Sequence, residues 1–187
     1  MRCACIYFLI LLAGESCDSQ KKESPAEKSI TVGSLTMTVP FSLEYTKASG
    51  LDSYVAYLIA NKKDTFHIEY GGQKIIYDLF PHPPMAVSEN DGESMRKNLG
   101  KLPEDVVVSK YYKNDNLQNI FDKNFYTYDT INSIVVKVVQ PKRTGTGMTG
   151  CYIPELKDGN SFCIYAENLD SATQSMGFRI FRSIKYK

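Results

Sequence analysis

Much of the chain alternates hydrophobic and polar residues with a period of two. This alternation is clear in residues 30–32 and again in residues 35–39, on either side of Gly33-Ser34. Because successive side chains of a strand point to opposite faces, each segment predicts a strand with one apolar face. Glycine in the first turn position favours a two-residue type II′ turn, so the two segments are predicted to form a hairpin.

Later segments repeat this pattern or are continuously apolar, and they also predict strands. Turn residues such as Asn, Asp and Gly separate several of them, which favours antiparallel pairing between neighbours. Residues 114–124 show neither pattern clearly. The further predicted strands are 53–60, 65–70, 106–112, 125–128, 134–139, 151–153 and 161–166.

Two segments change to a helical period. Residues 91–102 predict a short helix that ends before a proline, because the residue before proline disfavours helical backbone. Residues 173–184 place apolar side chains at helical spacing. Asp170 or Ser171 can cap this helix, and Ser171 with Gln174 matches a capping box. The prediction is an α+β fold: a mainly antiparallel sheet packed by a C-terminal amphipathic helix and one shorter helix.

The first 16 residues have the pattern of a secretory signal peptide. Arg2 provides the positive charge, and residues 6–13 provide an apolar core. That core is too short for a bilayer span, which needs about 20 apolar residues. A buried N-terminal helix or strand is the alternative, but the abrupt polar break after Cys17 favours export and removal of residues 1–16.

Residues 12–17, Leu-Ala-Gly-Glu-Ser-Cys, resemble the lipobox of bacterial lipoproteins. Gly14 stands where leucine is usual and Glu15 where a small residue is usual, whereas Ser16 fits. Ordinary signal cleavage is therefore the alternative. The resemblance, which extends to lipoproteins of Bacteroidetes, implies a multiply acylated Cys17 that anchors the protein to a membrane. The implied location is the outer membrane, on its periplasmic or surface face.

The remainder divides into a tether and one domain. Residues 17–28 are polar and rich in Lys and Glu, so we expect a disordered tether. Residues 29–187 are enough for a single domain with its own hydrophobic core. The net charge is +1, from 22 basic and 21 acidic residues, which points to no nucleic-acid partner.

Cysteine parity bears on both parts of the chain. If Cys17 is the first mature residue and carries lipid, Cys151 and Cys163 are left as a possible pair. They flank one predicted hairpin, and an oxidising compartment favours a disulfide, worth about 3 kcal/mol. Two buried, unpaired thiols are the alternative. Their wide spacing excludes a C-x-x-C redox motif.

Candidate chemistry elsewhere is sparse. His67 and Glu69 lie on one side of a predicted strand, and with His82 they could hold a divalent ion. Nothing in the sequence places His82 beside the pair, so a solvent-facing His67 is favoured. No nucleophile, base and orienting residue form a recognisable set, so we predict neither an enzyme nor a cofactor.

Two further patterns have structural explanations. Residues 145–150 read G-x-G-x-x-G, but a strand rather than a helix is predicted to follow, so a surface loop is expected. Tyr111-Tyr112 and the Tyr126/Tyr128 pair could line a ligand surface. Tyr126 and Tyr128 share one strand face, for which packing in the core is the favoured interpretation.

A family resemblance is found in four segments: Met37–Phe41, Gly50–Val55, Ile68–Gly71 and Asn168–Lys185. They resemble small exported bacterial proteins of the PsbP-like α+β type. The resemblance implies a binding or assembly module without catalytic residues. We therefore expect a membrane-anchored, non-catalytic extracytoplasmic lipoprotein with a protein or small-molecule partner. One alternative is a metal-dependent enzyme that uses His67 and Glu69, and another is an immunity or inhibitor lipoprotein.

Overall fold

A computed structural model describes residues 26–61, 63–79 and 84–187. Residues 1–16, which are predicted to be a signal peptide, lie outside the described residues, as do Cys17 and His82. The α+β class with mostly antiparallel sheets is confirmed. The elements are β1 (Glu27–Val32), β2 (Leu35–Pro40), β3 (Glu44–Ala48), β4 (Ser53–Ala60), β5 (Asp64–Gly72), β6 (Met85–Val87), α1 (Glu89–Leu99), β7 (Val106–Val108), α2 (Tyr112–Gln118), β8 (Asn124–Ile131), β9 (Ile134–Pro141), β10 (Met148–Ile153), β11 (Asn160–Glu167), α3 (Ser171–Arg182) and β12 (Lys185–Tyr186).

The centre of the fold is a seven-stranded antiparallel sheet in the order β3-β4-β5-β11-β10-β9-β8. Alternation along each strand gives the sheet two distinct faces. In β5, Phe66 and Ile68 point to one face, called the first face here, and both are fully buried. His67 and Glu69 point to the opposite, second face.

The first face is covered by a three-stranded sheet, in the order β1-β2-β12, and by α3. The predicted hairpin forms β1 and β2, and Gly33 in its turn has a φ of +55°, which glycine adopts without strain. Helix α3 contributes Ile180 and Phe181 to this core. A Cβ on Gly177 would lie 2.8 Å from the Phe66 ring, so glycine allows the helix to approach the sheet closely.

The structure selects one of the two predicted caps of α3 and begins β1 earlier than predicted. Asp170 is the N-cap of α3, and its side chain accepts a hydrogen bond of 2.7 Å from the Thr173 amide. Ser171 is the first helical residue, so the predicted capping box is not formed. Glu27 and Lys28, assigned from the sequence to the tether, are the first residues of β1. The Lys28 ammonium donates to the Leu43 carbonyl, which ties them to the domain.

The second face has a smaller cover. Residues 73–79 cross it and bury Ile76 and Leu79 against the sheet. A Cβ on Gly150 would lie 2.5 Å from a Leu79 methyl group, so this glycine accommodates the covering segment. All six residues of β10 are buried because both faces of this central strand are covered.

Residues 84–123 form a separate small unit. Strands β6 and β7 pair in parallel, and α2 packs on β6. Helix α1 begins at Glu89 with Ser88 as its cap, two residues before the predicted start. Helix α2 lies in a region without a clear sequence pattern and adds a third helix to the two that were predicted.

The structure contradicts the predicted disulfide. Cys151 and Cys163 are free cysteines, and both are buried. The register of β10 and β11 pairs Cys151 with Ile164 and pairs Tyr152 with Cys163. Because the two cysteines are offset by one residue, their side chains point to opposite faces of the sheet. Two cysteines that flank a hairpin therefore do not necessarily form a disulfide, because the register decides which side chains meet.

Candidate binding cleft

A cleft of about 330 Å³ lies on the first face, between the outer strands β8 and β9 and the helix α3. Its walls come from the sheet on one side and from the helix on the other. The lining combines an apolar interior with four polar side chains. The lining residues are Thr127, Asp129, Ile131, Val138, Gln140, Phe178, Phe181 and Arg182.

The strand wall follows from a tight hairpin. Asn132 and Ser133 both have positive φ angles, 47° and 67°, as a two-residue turn of type I′ requires. This turn fixes the register of β8 against β9. Thr127, Asp129 and Ile131 alternate along β8 and therefore present their side chains to the side on which α3 lies.

The helix wall depends on residues near the end of α3. Phe178 and Arg182 are four residues apart, so they lie on the same side of the helix. The rings of Phe178 and Phe181 make an edge-to-face contact at 5.8 Å between centroids. The Asn132 side chain donates to the Ile184 carbonyl at 2.7 Å, which fastens the β8–β9 turn to the chain leaving the helix. The two walls are thus connected at one end.

The cleft has charges available to a ligand. The Asp129 carboxylate accepts a hydrogen bond from the Thr130 amide at 2.7 Å. Within the described residues, neither Asp129 nor Arg182 takes part in an ion pair. Both side chains are exposed at the rim. An anion and a cation therefore border an interior of aliphatic and aromatic side chains.

The strand beneath the cleft carries a neutral thiol. Cys151 pairs across the strands with Val138, which lines the cleft. Burial raises the pKa of Cys151 to about 12, and the negative charge of Asp129 adds to this shift. The thiol is therefore protonated at neutral pH and fully buried, and it provides no nucleophile to the cleft.

Two of the predicted metal candidates, His67 and Glu69, lie elsewhere, on the second face. His67 stacks on the Tyr165 ring with 5.1 Å between centroids, and the Tyr57 ring meets it edge-on at 5.2 Å. Glu69 accepts a hydrogen bond from the Tyr77 amide at 3.3 Å. His67 is thus half-buried between rings rather than simply facing solvent. In the described ranges, no three His, Cys, Asp or Glu side chains are placed to hold a metal ion.

In the glycine-rich segment 145–150, residues 145–147 form a loop and residues 148–150 are the first residues of β10, so the predicted loop is confirmed only for the first half. Its amides are already used within the protein. The Gly145 amide donates to the Leu169 carbonyl, and the Gly147 amide donates to the Asn168 side chain, each at 3.0 Å. An anion would have to displace these acceptors, and no helix follows whose N-terminus could bind a phosphate.

Tyr126 and Tyr128, which were predicted to pack together in the core, differ in their burial. Tyr126 packs against the second-face cluster, whereas Tyr128 is 67% exposed. Tyr111 is also exposed, and Tyr112 is half-buried. None of these rings lines the cleft beside α3, so the sequence candidates and the cleft do not coincide.

Sequence reasoning missed the cleft because each of its charged residues has an ordinary local explanation. Arg182 suits the end of a helix, where a cation interacts favourably with the dipole. Asp129 lies close to a turn in the sequence. Only the register of β8 and β9 shows that these residues border the same space.

Comparison with known proteins supplies no function to transfer. No protein-family model matches the sequence, and a search of curated proteins finds no similar sequence. Within the part of the chain that the structure describes, no helix is both long enough and apolar enough to cross a membrane.

Proposed function

We propose that the protein is a lipid-anchored, extracytoplasmic binding module without catalytic activity, and that the cleft beside α3 is its ligand site. The observation that carries this proposal is the cleft lining, in which four polar side chains border an apolar interior. Small-molecule sites typically combine a concave apolar surface with a few polar groups that fix orientation. The volume of about 330 Å³ suits a small ligand or one side chain of a larger partner.

The lining indicates the chemistry of the ligand. Phe178 and Phe181 offer an apolar surface, and the guanidinium of Arg182 can donate two parallel hydrogen bonds to a carboxylate, sulfonate or phosphate. The Asp129 carboxylate accepts from a ligand N–H or O–H and repels a second anion. We therefore expect a ligand with an apolar body, one anionic group and a hydrogen-bond donor. The near balance of charge in the whole chain favours no nucleic acid.

The anchor belongs to the same proposal and is supported by the sequence. Residues 12–17 resemble a lipobox, and acylation at Cys17 would retain the domain at the outer membrane. The resemblance to PsbP-like proteins is consistent with an α+β domain in which a C-terminal helix packs on an antiparallel sheet. Such a domain would act by binding or assembly, in line with the cleft.

A fluorescent probe tests the cleft. 8-Anilinonaphthalene-1-sulfonate has an apolar aromatic body, a sulfonate and an N–H group, as the expected ligand class requires. We expect one probe per protein, with affinity reduced about tenfold by Arg182→Gln, as for the loss of one charged hydrogen-bonding partner. Phe178→Ala should also weaken binding because it removes apolar contact.

Arg179→Gln is the matched control. Arg179 is on the same helix but lines a different cleft, together with Glu27 and Met176. This variant should bind the probe like the unmodified protein. Equal losses in the Arg179 and Arg182 variants would refute a specific site at the Arg182 side of α3.

Intact mass measurement tests the anchor. The protein extracted from membranes should begin at Cys17 and carry the added mass of several acyl chains. Cys17→Ala should abolish this addition. A mature mass without acyl groups would overturn the anchor and leave the cleft proposal standing, because the two tests use different readouts.

Among the described residues, no contact or cluster favours the metal-dependent or inhibitor alternatives. The His67 ring is engaged by Tyr57 and Tyr165, and Glu69 is engaged by a backbone amide. Metal analysis of the purified protein nevertheless discriminates between the classes. Stoichiometric zinc that is lost in His67→Ala would replace the binding-module proposal with a metal-dependent one.

A further inference from the structure

Helix α2 presents apolar side chains to solvent instead of to a core. Leu117 is 83% exposed and Ile120 is 52% exposed, and α2 has no buried residue. Residues 113 and 117 are four residues apart, so they lie on one side of this short helix. Ile120 follows Asn119, the residue that ends the helix. Tyr111, at the start of the helix, is 64% exposed.

The inner side of α2 is already occupied. The Asn116 side chain donates to the Ala86 carbonyl at 2.7 Å and accepts a hydrogen bond from the Ala86 amide. These two bonds attach the helix to β6 and fix which side faces outward. Within the described chain, the side chains of Leu117 and Ile120 therefore each keep more than half of their surface exposed to solvent.

The charges around this surface are separated by sign. Lys110 and Lys113 are exposed, and each ammonium lies within 6 Å of a tyrosine ring centroid, at 5.9 Å from Tyr111 and 5.8 Å from Tyr112. The two acidic residues of the segment 110–123 point elsewhere. The Asp115 carboxylate accepts from the Ser109 hydroxyl, and Asp122 is buried.

The surface continues past the end of α2. The Lys142 ammonium donates to the Asn119 carbonyl at 2.8 Å and lies 5.5 Å from the centroid of the Phe125 ring. Phe125 is itself 54% exposed. A third lysine and a third aromatic ring thus adjoin the same region. We call Lys110, Tyr111, Lys113, Leu117 and Ile120 the α2 surface.

We propose that the α2 surface binds the surface of an anionic lipid bilayer. Lysines near a bilayer attract anionic headgroups, tyrosine favours the interface between headgroups and acyl chains, and leucine and isoleucine enter its apolar edge. A second contact would hold the domain in one orientation on the membrane. The proposal rests on the proposed anchor only in that the anchor keeps the domain beside a bilayer.

Hydrogen exchange of the mature protein on vesicles tests this inference. The acylated protein is placed in vesicles of phosphatidylcholine, or of phosphatidylcholine mixed with phosphatidylglycerol. We expect amides of residues 110–121 to exchange about tenfold more slowly with the anionic lipid, as two lysines near a charged surface would produce. Leu117→Ser and the double variant Lys110→Gln/Lys113→Gln should each remove most of this protection.

Leu51→Ser and Lys74→Gln are the matched controls. Both residues are exposed and distant in sequence from the α2 surface, and Leu51 is even more exposed than Leu117. These variants should retain the protection. Equal exchange in both kinds of vesicle would overturn the proposal. Protection that appears only in native membranes, and not in vesicles, would also overturn it and indicate a protein partner.

Membrane binding by the α2 surface can also be tested if Cys17 is not acylated. If the mature protein carries no lipid, the same chain is mixed with vesicles and its co-flotation is measured. Binding to phosphatidylglycerol vesicles that is lost in Leu117→Ser would support the α2 surface even though Cys17 is unmodified. No co-flotation of that unacylated chain would count against it.

Discussion

The two faces of the seven-stranded sheet are built to different extents. Among the described residues, 24 buried side chains form one cluster between the first face, a second sheet and α3. Six buried side chains of the described ranges form the cluster between the second face and residues 73–79. The difference indicates that the first face supplies most of the hydrophobic stabilisation, since this scales with the apolar area removed from water. The candidate cleft lies at the margin of the better-packed face, where rigid walls can hold it open.

The two buried cysteines show how the central strands pack on each face of the sheet. Cys151 belongs to the first-face cluster and Cys163 to the second-face cluster. Both are fully buried, although they point in opposite directions. The central strands therefore exclude water on both faces, and the contrast between the faces comes from the amount of covering structure.

A pair of isoleucines provides the most direct comparison. Ile68 belongs to the first-face cluster and Ile76 to the second-face cluster. We expect Ile68→Ala to lower the free energy of unfolding by about 4 kcal/mol and Ile76→Ala by about 2 kcal/mol, because the cost rises with the cavity that cannot collapse. Denaturant titrations measure both. Equal losses would contradict the difference in packing between the faces.

The buried thiols predict a loss of stability at alkaline pH. Burial raises the pKa of Cys151 to about 12 and also raises the pKa of Cys163, from an ordinary value near 9. A raised pKa contributes stability that is complete below pH 9 and is lost as the pH rises toward the folded value, because the unfolded chain releases its proton first. Each thiol should lower the free energy of unfolding by about 1.4 kcal/mol per pH unit above 9.

Single variants separate this effect from tyrosine ionisation. Cys151→Ala and Cys163→Ala should each reduce the alkaline slope, although both lower stability at neutral pH. A thiol reagent should react with both cysteines only after unfolding, whether or not a reductant was present. Failure to recover two thiols from the unreduced, unfolded protein would restore the disulfide prediction.

Local patterns predicted much of the fold. The alternation around Gly33-Ser34 predicted the hairpin of β1 and β2, and the apolar period after Asp170 predicted α3. Helix α2 was missed because its sequence, YKNDNLQ, has one strongly apolar residue besides its first tyrosine. Its position is fixed instead by the hydrogen bonds of Asn116 to β6, which no local period reveals.

The sites were less predictable than the elements. The disulfide prediction used spacing along the hairpin of β10 and β11, but a register offset of one residue directs Cys151 and Cys163 to opposite faces. The cleft needed long-range information too, since it combines Asp129 with Arg182, more than 50 residues apart in sequence. Pairings between distant strands and a helix decide such neighbours, and a single sequence does not display them.

Gly177→Ala tests how closely α3 approaches the first face. Alanine would favour the helix by about 1 kcal/mol on intrinsic propensity. Its Cβ, however, would lie 2.8 Å from the Phe66 ring, and moving that fully buried ring costs about 1–3 kcal/mol. We expect a net loss of about 1 kcal/mol. Ser175→Ala, at an exposed position of the same helix, should not destabilise the protein comparably.

The smallest expected effect on stability comes from an ion pair that attaches residues 73–79 to the second face. Lys137 forms an ion pair of 2.9 Å with Asp78, which joins β9 to the covering segment. Because the Asp78 side chain is half-exposed, a double-mutant cycle with Lys137→Met and Asp78→Asn should give a coupling of about 0.5 kcal/mol. Lys137 also lies 5.3 Å from the Tyr152 ring centroid, so Lys137→Met alone should cost more than that coupling. A coupling above about 2 kcal/mol would mean that charge, rather than the packing of Ile76 and Leu79, holds the segment in place.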